Sequence, residues 1–214
     1  MIAKESTKYE RQRADMVKRQ IEGRGISDPN VLAAMRKVPR HLFVSEALRD
    51  QSYGDFPLPI GEQQTISQPY IVAEMTQALQ LPKDDRILEI GTGSGYQAAI
   101  LAEIAYKVYT IERIHSLLIK TRRIFDQLHY HNIITRYGDG TVGWEDESPF
   151  DAIIVTCAPA DVPQTLVDQL KDGGRMILPL GAGFQRLVIL RKKGGKVLHE
   201  DDIGVRFVPM VHGE

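Results

Sequence analysis

The segment Leu88-Glu89-Ile90-Gly91-Thr92-Gly93-Ser94-Gly95 decides the fold of this chain. It ends a short apolar run at residues 86–90, typical of a buried strand, and precedes small residues at 97–105 that predict a helix. Glycine is needed where a chain turns tightly or a ligand approaches its backbone, because a β-carbon would occupy that space. The segment therefore predicts a nucleotide-like ligand at the carboxyl end of a sheet.

The spacing of these glycines distinguishes between classes of ligand. They follow the pattern G-x-G-x-G, whereas the dinucleotide motif G-x-G-x-x-G would place its third glycine at Tyr96. An acid, Glu89, lies two residues before the first glycine. This variant resembles the first motif of the Rossmann-like methyltransferases, whose ligand carries an amino acid and a nucleoside but no pyrophosphate. Alone, the glycines are weak evidence, since they also suit any tight strand-to-helix turn.

From residue 86 onward, short apolar strands alternate with single helices, which predicts βαβ units and a mostly parallel sheet. The last strands follow each other across turns alone, so we expect an antiparallel edge. The predicted helices lie at residues 97–105, 117–128 and 162–170. Seven strands are predicted, at residues 86–90, 107–111, 133–137, 152–156, 176–180, 187–191 and 203–208.

The region before residue 83 has a different, helical character. A helix start at Ser27-Asp28-Pro29 precedes apolar residues with helical spacing at 31–38. Residues 53–64 are rich in proline and glycine and are expected to form an irregular loop. We predict an N-terminal helical subdomain at residues 1–82, carrying the active-site loop, and an α/β core at residues 83–214.

Composition narrows the class of protein. The chain has 214 residues, 43% hydrophobic and 26% charged, which is ordinary for a globular protein. A formal net charge of -1 provides no basic field for nucleic acid. The single cysteine, Cys157, excludes an internal disulfide and argues against a cysteine-rich metal site. No apolar run approaches the ~20 residues of a membrane span. We expect a cytoplasmic monomer without metal, membrane or nucleic-acid partners.

Two further acids follow the second and third strands of the predicted core. Glu112 ends the second strand, 23 residues after Glu89, close to the ~20 typical of an acid that binds ribose hydroxyls. A carboxylate there can accept hydrogen bonds from both hydroxyls of a diol, and the alternative is a surface ion pair with Arg113. Asp139, between two glycines, fits an acceptor for an adenine amino group, although alone it is typical of a turn.

The segment Gly61-Glu62-Gln63-Gln64-Thr65-Ile66-Ser67-Gln68-Pro69-Tyr70 indicates which methyltransferases are most similar. Further segments support the same assignment in chain order, at residues 38–44, 149–156, 170–175, 178–181 and 205–210. Together these segments resemble the protein-L-isoaspartate O-methyltransferases over about residues 10 to 212. The resemblance implies a Rossmann-like class I methyltransferase fold of α/β type. Its sheet would be doubly wound, mostly parallel and seven-stranded, with an altered order of the last strands.

The resemblance also implies S-adenosyl-L-methionine as cofactor, S-adenosyl-L-homocysteine as product, and roles for named residues. Ser67 would be the active-site hydroxyl closest to methyl transfer, although its spacing before Pro69 also suits a helix N-cap. The implied cofactor-binding residues are Thr65, Ile66, Ser67, Glu89, Gly91, Gly93, Gly95, Glu112, Asp139 and Gly140. The implied substrate-binding residues are Ser67, Val208, Met210 and Val211.

The implied reaction is methyl transfer to the free α-carboxylate of L-isoaspartyl residues in damaged proteins and peptides. Its acceptor would be ionised at neutral pH, with a pKa of roughly 3 to 4. One alternative is a methyltransferase of RNA or a small metabolite. Such enzymes often carry Asn/Asp-Pro-Pro-aromatic after the fourth strand, where this chain has Thr156-Cys157-Ala158-Pro159. A non-catalytic cofactor-binding adaptor is another alternative, and an NAD-dependent oxidoreductase is a distant third.

Overall fold

The computed structural model describes residues 2–210, with the backbone alone at residues 2–6, 201 and 202. The helices in this part of the chain are α1 Ile2–Asp15, α2 Pro29–Lys37, α3 Pro69–Ala78, α4 Tyr96–Ala102, α5 His115–Gln127 and α6 Gln164–Asp168. Its strands are β1 Leu58–Gly61, β2 Gln64–Ile66, β3 Arg86–Ile90, β4 Lys107–Glu112, β5 Ile133–Tyr137, β6 Phe150–Val155, β7 Leu170–Leu180, β8 Gln185–Lys193 and β9 Lys196–Val205. None of these helices combines the length and apolar character needed to cross a bilayer.

Seven strands form one sheet in the order β5-β4-β3-β6-β7-β8-β9. The pairs from β5 to β7 are parallel, and β8 runs antiparallel to both β7 and β9. The last three strands therefore lie side by side in chain order. This arrangement confirms the predicted doubly wound α/β fold with an antiparallel edge.

Buried apolar side chains cover both faces of the sheet. Ile87 and Val108 belong to one hydrophobic cluster, whereas their neighbours Leu88 and Tyr109 belong to a second. Successive strand residues point to opposite faces, so near-continuous apolar strands indicate a sheet covered on both sides. The first cluster also holds residues of the N-terminal helices, such as Val17. The N-terminal segment thus packs against the sheet, and a subdomain boundary at residue 82 stays a prediction.

The predicted start of the second helix is confirmed. Asp28 is the N-cap of α2, and its carboxylate accepts hydrogen bonds from the backbone N–H groups of Asn30 at 2.8 Å and Val31 at 3.2 Å. Pro29 occupies the first turn, where its missing N–H is not needed. The cap satisfies two backbone donors that the helix leaves without a partner.

The irregular loop predicted at residues 53–64 is wrong in its second half. β1 and β2 form an antiparallel hairpin there, with Leu58 opposite Ile66. Glu62 and Gln63 make the turn with positive φ angles of 52° and 57°. Tight hairpin turns with two positive φ angles usually carry asparagine or glycine, so this pair gave no turn signal.

The C-terminal elements also differ from their predicted bounds. The helix predicted at 162–170 is shorter, because α6 ends at Asp168 and β7 already begins at Leu170. The last strand ends at Val205, whereas the prediction extended it to residue 208. Beyond β9 the chain leaves the sheet edge, and Pro209 instead lies beside Ala158 in an isolated parallel bridge.

A buried ion pair joins β7 to the segment between α3 and β3. The guanidinium of Arg175 donates to the backbone carbonyls of Leu79 and Gln80 and pairs with the carboxylate of Asp85. The two charged side chains are only 12% and 8% exposed. Burial raises the pKa of Asp85 above its ordinary value, and Arg175 opposes this shift. Each buried charge therefore depends on its partner to offset the free energy lost when it leaves water.

Replacing Arg175 with methionine should lower the free energy of unfolding by about 3 kcal/mol, because Asp85 would stay buried without a counter-charge. Urea unfolding measures this loss. Lys171→Met is the matched control, since the ion pair of Lys171 with Asp151 has a lysine side chain 58% exposed. The control should cost less than about 1 kcal/mol. Equal losses in the two variants would contradict the expectation.

Candidate active site

A cleft lies at the carboxyl ends of β3, β4 and β6, where parallel sheets bind ligands. The sheet contributes the turn after β3 and the ends of the two neighbouring strands. The β1–β2 hairpin and the connection to α3 form the opposite wall, and the segment after β9 forms another part of the lining. The lining includes residues 62–67, 90–94, 111–114, 156–157 and 208–210.

Glycine is required at Gly91 and Gly95 because other elements lie against them. A β-carbon on Gly91, whose φ is 94°, would lie 2.6 Å from the hydroxyl of Thr156 at the end of β6. One on Gly95, with φ 84°, would lie 2.4 Å from Thr121 on α5. Gly91 lines the cleft, together with Gly93, whereas Gly95 packs behind it. The glycine loop thus brings the backbone to the cleft edge and seats α5 against α4.

Glu112 lies in the cleft with its carboxylate fixed by the backbone. Its Oε2 accepts from the N–H of Gly93 at 2.7 Å, and its Oε1 accepts from the N–H of Ile114 at 2.8 Å. An ionised carboxylate has about four acceptor positions, so two hydrogen bonds leave capacity for ligand hydroxyls. The position at the end of β4 is the one that the sequence predicts for a ribose-binding acid.

Glu89 lies beneath the glycine loop and is fully buried, outside the lining of the cleft. The hydroxyl of Thr110 donates to its carboxyl, and the hydroxyl of Thr92 lies 2.7 Å from that of Thr110. Burial raises the pKa of Glu89 to about 8, with a further contribution from Glu112. Its contact with the loop is therefore indirect, through the two threonines, and its carboxyl is mainly neutral at pH 7.

Asp139 and Gly140 are neighbours in the sequence but differ in their position relative to the cleft. The carboxylate of Asp139 accepts from the N–H and the hydroxyl of Thr141, both at 2.8 Å, and so caps the short turn at Gly140–Val142. Gly140 lines the cleft, whereas Asp139 does not. The adenine contact expected of Asp139 stays a prediction.

Ser67 lines the cleft together with Thr65 and Ile66. The N-cap position of α3 is held by Gln68, one residue later, so the structure does not use Ser67 as the helix cap. The backbone carbonyl of Ser67 accepts a 2.7 Å hydrogen bond from the guanidinium of Arg40. No sequence pattern indicates a role for Arg40, because burial of a charged side chain leaves no local signal.

Of the residues predicted to contact the substrate, Val208 and Met210 line the cleft, whereas Val211 lies outside the described residues. Ala158 holds this segment: its N–H donates to Val208 and its carbonyl accepts from Met210, both at 2.8 Å. The side-chain amide of Gln185 binds both backbone groups of Phe207, accepting at 2.6 Å and donating at 3.1 Å. Gln185 thus replaces a strand partner where the chain leaves the sheet, a role the sequence did not indicate.

Cys157 also lines the cleft, at the end of β6. Burial, and then the charge of Glu112, raise the pKa of its thiol to about 12. The thiol is therefore protonated at neutral pH and is not a nucleophile. Among the described side chains, no group of three or more histidine, cysteine or acidic residues is arranged to hold a metal ion.

Glu89 gives a pH-dependent prediction. Its folded-state pKa of about 8 exceeds the ordinary 4.5, so the native state binds more protons than the unfolded state between these values. The free energy of unfolding should fall as pH rises through this window, and Glu89→Gln should remove that fall. Urea unfolding from pH 5 to 8 measures it, with the exposed Glu200→Gln as control. Parallel pH curves for the wild type and Glu89→Gln would contradict the expectation.

The comparisons with known proteins agree over nearly the whole chain. The family model described as Protein-L-isoaspartate(D-aspartate) O-methyltransferase matches residues 11–214. A protein-L-isoaspartate O-methyltransferase of Desulfosudis oleivorans is 61% identical, with 100% of this chain and 98% of that protein covered. One of Syntrophus aciditrophicus is 53% identical, with 95% of each chain covered.

Solved structures give the same result. A protein-L-isoaspartate O-methyltransferase superimposes with a TM-score of 0.86 at 30% identity, covering 94% of this chain and 66% of that chain. A second, from Plasmodium falciparum in complex with S-adenosyl-L-homocysteine, has a TM-score of 0.81 at 25% identity, covering 93% and 98%. The glycine loop, the fixed acid and the extensive sequence identity agree, and the chain belongs to the protein-L-isoaspartate(D-aspartate) O-methyltransferase family.

Proposed function

We propose that this chain transfers a methyl group from S-adenosyl-L-methionine to the free α-carboxylate of L-isoaspartyl residues in damaged proteins and peptides, with S-adenosyl-L-homocysteine as the other product. The observation that carries this proposal is one cleft, lined by the glycine loop, Glu112 and Ser67 together. Family membership supports the same reaction. The methyl ester carries a better leaving group than the free acid, so its collapse to a succinimide, with release of methanol, would begin the repair.

The cleft residues fit the cofactor. Gly91 and Gly93 leave space along the backbone, and Glu112 has acceptor capacity for a ribose diol. Thr65 and Ile66 lie on the opposite wall, where they would flank the bound molecule. When bound, S-adenosyl-L-methionine supplies a methyl group already activated by its sulfonium centre.

The chemistry of the lining favours an acceptor that is already charged. The described residues that line the cleft include no histidine or lysine. Cys157 is a protonated thiol at neutral pH, and burial also raises the pKa of Tyr96. An α-carboxylate needs no general base, because it is ionised at neutral pH. An amine or hydroxyl acceptor would have to lose a proton during methylation, and Cys157 and Tyr96 are poorly suited to remove it. The lining acids already accept hydrogen bonds, Glu62 from the hydroxyl of Ser116 and Glu112 from two backbone N–H groups.

The chain then contributes mainly by orientation. Ser67 would donate a hydrogen bond from its hydroxyl to the acceptor carboxylate and hold it in line with the methyl group. Val208 and Met210 would frame the peptide backbone from another part of the lining. A cleft that contacts the backbone of the peptide more than its side chains suits damage sites whose neighbouring residues vary.

Isoaspartyl proteins and peptides are the proposed partners. The proposal is for a monomer with neither nucleic acid nor a membrane as partner, because the glycine loop, Glu112 and Ser67 line one cleft within a single chain. A cytoplasmic location fits a chain whose single cysteine is a free thiol.

The decisive experiment is transfer of tritiated methyl from S-adenosyl-L-methionine to an isoaspartyl peptide, with the matching normal aspartyl peptide as control. We expect base-labile methyl incorporation into the isoaspartyl peptide alone, because only its displaced carboxylate should align with the methyl group. Labelling of both peptides, or of neither while cofactor binding is intact, would reject the proposed acceptor.

Ser67→Ala should lower kcat by about 10- to 100-fold, since a hydrogen bond to a charged group contributes ~1.5–3 kcal/mol. Its thermal midpoint should stay close to that of the wild type, because Ser67 is not the N-cap of α3. Steady-state kinetics and circular dichroism measure the two effects. Ser45→Ala is the control, since Ser45 makes no side-chain capping bond. A large loss of stability with normal kcat would reject the catalytic role.

A further inference from the structure

Arg40 is a fully buried arginine in the short helical turn Arg40–Phe43. Its Nε donates to the backbone carbonyl of Ser52 and its Nη2 to that of Ser67, both at 2.7 Å. Its guanidinium carbon lies 4.8 Å from the centre of the Tyr96 ring. One side chain therefore contacts three separate parts of the molecule.

The burial of this charge is unusual because no carboxylate of the described residues forms an ion pair with it. Taking a guanidinium out of water costs free energy, and burial lowers the pKa of Arg40 to about 10. The group still keeps its proton at neutral pH. Two carbonyl oxygens, the ring of Tyr96 and the more distant charge of Asp55 offset part of this cost, whereas Nη1 has no hydrogen-bond partner among the described residues. Well-packed apolar side chains often stabilise such a position as well as a buried charge or better. Burial alone therefore does not require an arginine here, although its donors satisfy the carbonyls of Ser52 and Ser67.

The carbonyl that Arg40 binds on the cleft side belongs to the residue nearest the proposed chemistry. Ser67 lies in the connection between β2 and α3, before the first hydrogen bond of the helix, which joins the carbonyl of Gln68 to the N–H of Val72. The hydrogen bonds of α3 thus leave the peptide plane after Ser67 unfixed. The guanidinium of Arg40 fixes this peptide plane through its hydrogen bond to the carbonyl of Ser67.

Tyr96, the other contact of Arg40, belongs to the cofactor side. It is the first residue of α4, it follows the glycine loop directly, and it lines the cleft. Arg40 therefore connects the loop that carries Ser67 with the helix that begins at the glycine loop. The distance between these two parts sets the alignment of acceptor and methyl group.

We propose that Arg40 is a positioning residue for methyl transfer, which holds the Ser67 loop in register with the cofactor-binding loop. This inference rests on the proposed function of Ser67. The planar guanidinium presents donors in a rigid fork, so it binds two carbonyls at fixed relative positions. A lysine ammonium at the same position would be a point donor on a flexible stem. Arg40 thus acts through Ser67 and does not contact the substrate.

The test compares Arg40→Met and Arg40→Lys with the wild type and with the control Arg49→Lys. Arg49 is a half-buried arginine of the neighbouring turn Glu46–Gln51, lies outside the cleft lining and pairs with Glu46 at 4.0 Å. Each protein is assayed for kcat and KM with an isoaspartyl peptide. Calorimetric titration gives the Kd of S-adenosyl-L-homocysteine, and circular dichroism gives the folded fraction.

We expect kcat to fall by at least about 30-fold in Arg40→Met and by about 5- to 10-fold in Arg40→Lys, because small misplacements of reacting groups have large effects on rate. The Kd of S-adenosyl-L-homocysteine should change by less than about 2-fold, since the glycine loop and Glu112 are intact. Arg49→Lys should match the wild type. A purely structural role would lower the folded fraction and leave kcat per folded molecule unchanged.

Several outcomes would overturn the inference. These are an unchanged kcat in folded Arg40 variants, a Kd for S-adenosyl-L-homocysteine that weakens as much as kcat falls, or failure of both variants to fold. The last result would make Arg40 a stability residue. A wild-type protein that binds S-adenosyl-L-homocysteine but does not methylate the peptide would overturn the proposed function, and this inference with it. An active wild type with unaffected Arg40 variants would overturn the inference alone.

Discussion

The site depends on a close backbone approach at the carboxyl end of β3. Thr156, directly after β6, donates its hydroxyl to the carbonyls of Ile90 at 3.0 Å and Gly91 at 2.7 Å. This contact leaves no room for a β-carbon on Gly91. The neighbouring strands β3 and β6 can therefore end side by side, with the glycine loop directly above them. The cleft can form here because Gly91 has no side chain, so its backbone lies directly against Thr156.

At the same edge of the sheet, the carboxyl groups of Glu89 and Glu112 differ in their position and their hydrogen bonds. Glu89 on β3 is buried beneath the loop, where loss of hydration raises its pKa to about 8. Glu112 on β4 lies in the cleft, where two backbone N–H groups bind its oxygens. The neutral group can support the loop through Thr110 and Thr92 without placing a second charge beside the first. One acid is thus suited to support the loop and the other to bind a ligand, although both lie at or next to the last residue of a parallel strand.

The sequence predicts those parts of the site that depend on chain order. The spacing of Glu112 from Glu89 predicts its place at a strand end, because strand ends recur regularly in a βαβ fold. The β1–β2 hairpin was missed because Glu62 and Gln63 adopt positive φ angles without the residues that usually signal them. Arg40 lies within a segment that the resemblance covers, yet its role requires burial and two distant carbonyls, which local sequence does not show.

Side chains hold the active-site segments mainly through backbone atoms. Arg40 binds the carbonyl of Ser67, Glu112 binds the N–H of Gly93, and Gln185 binds both backbone groups of Phe207. Such contacts fix the path of the chain whatever side chains it presents to the cleft. In the proposed function, the segment after β9 would offer the substrate an edge whose position is set by the fold. An edge of that kind suits recognition of a displaced backbone carboxylate, because damaged residues share this group and differ in their neighbours.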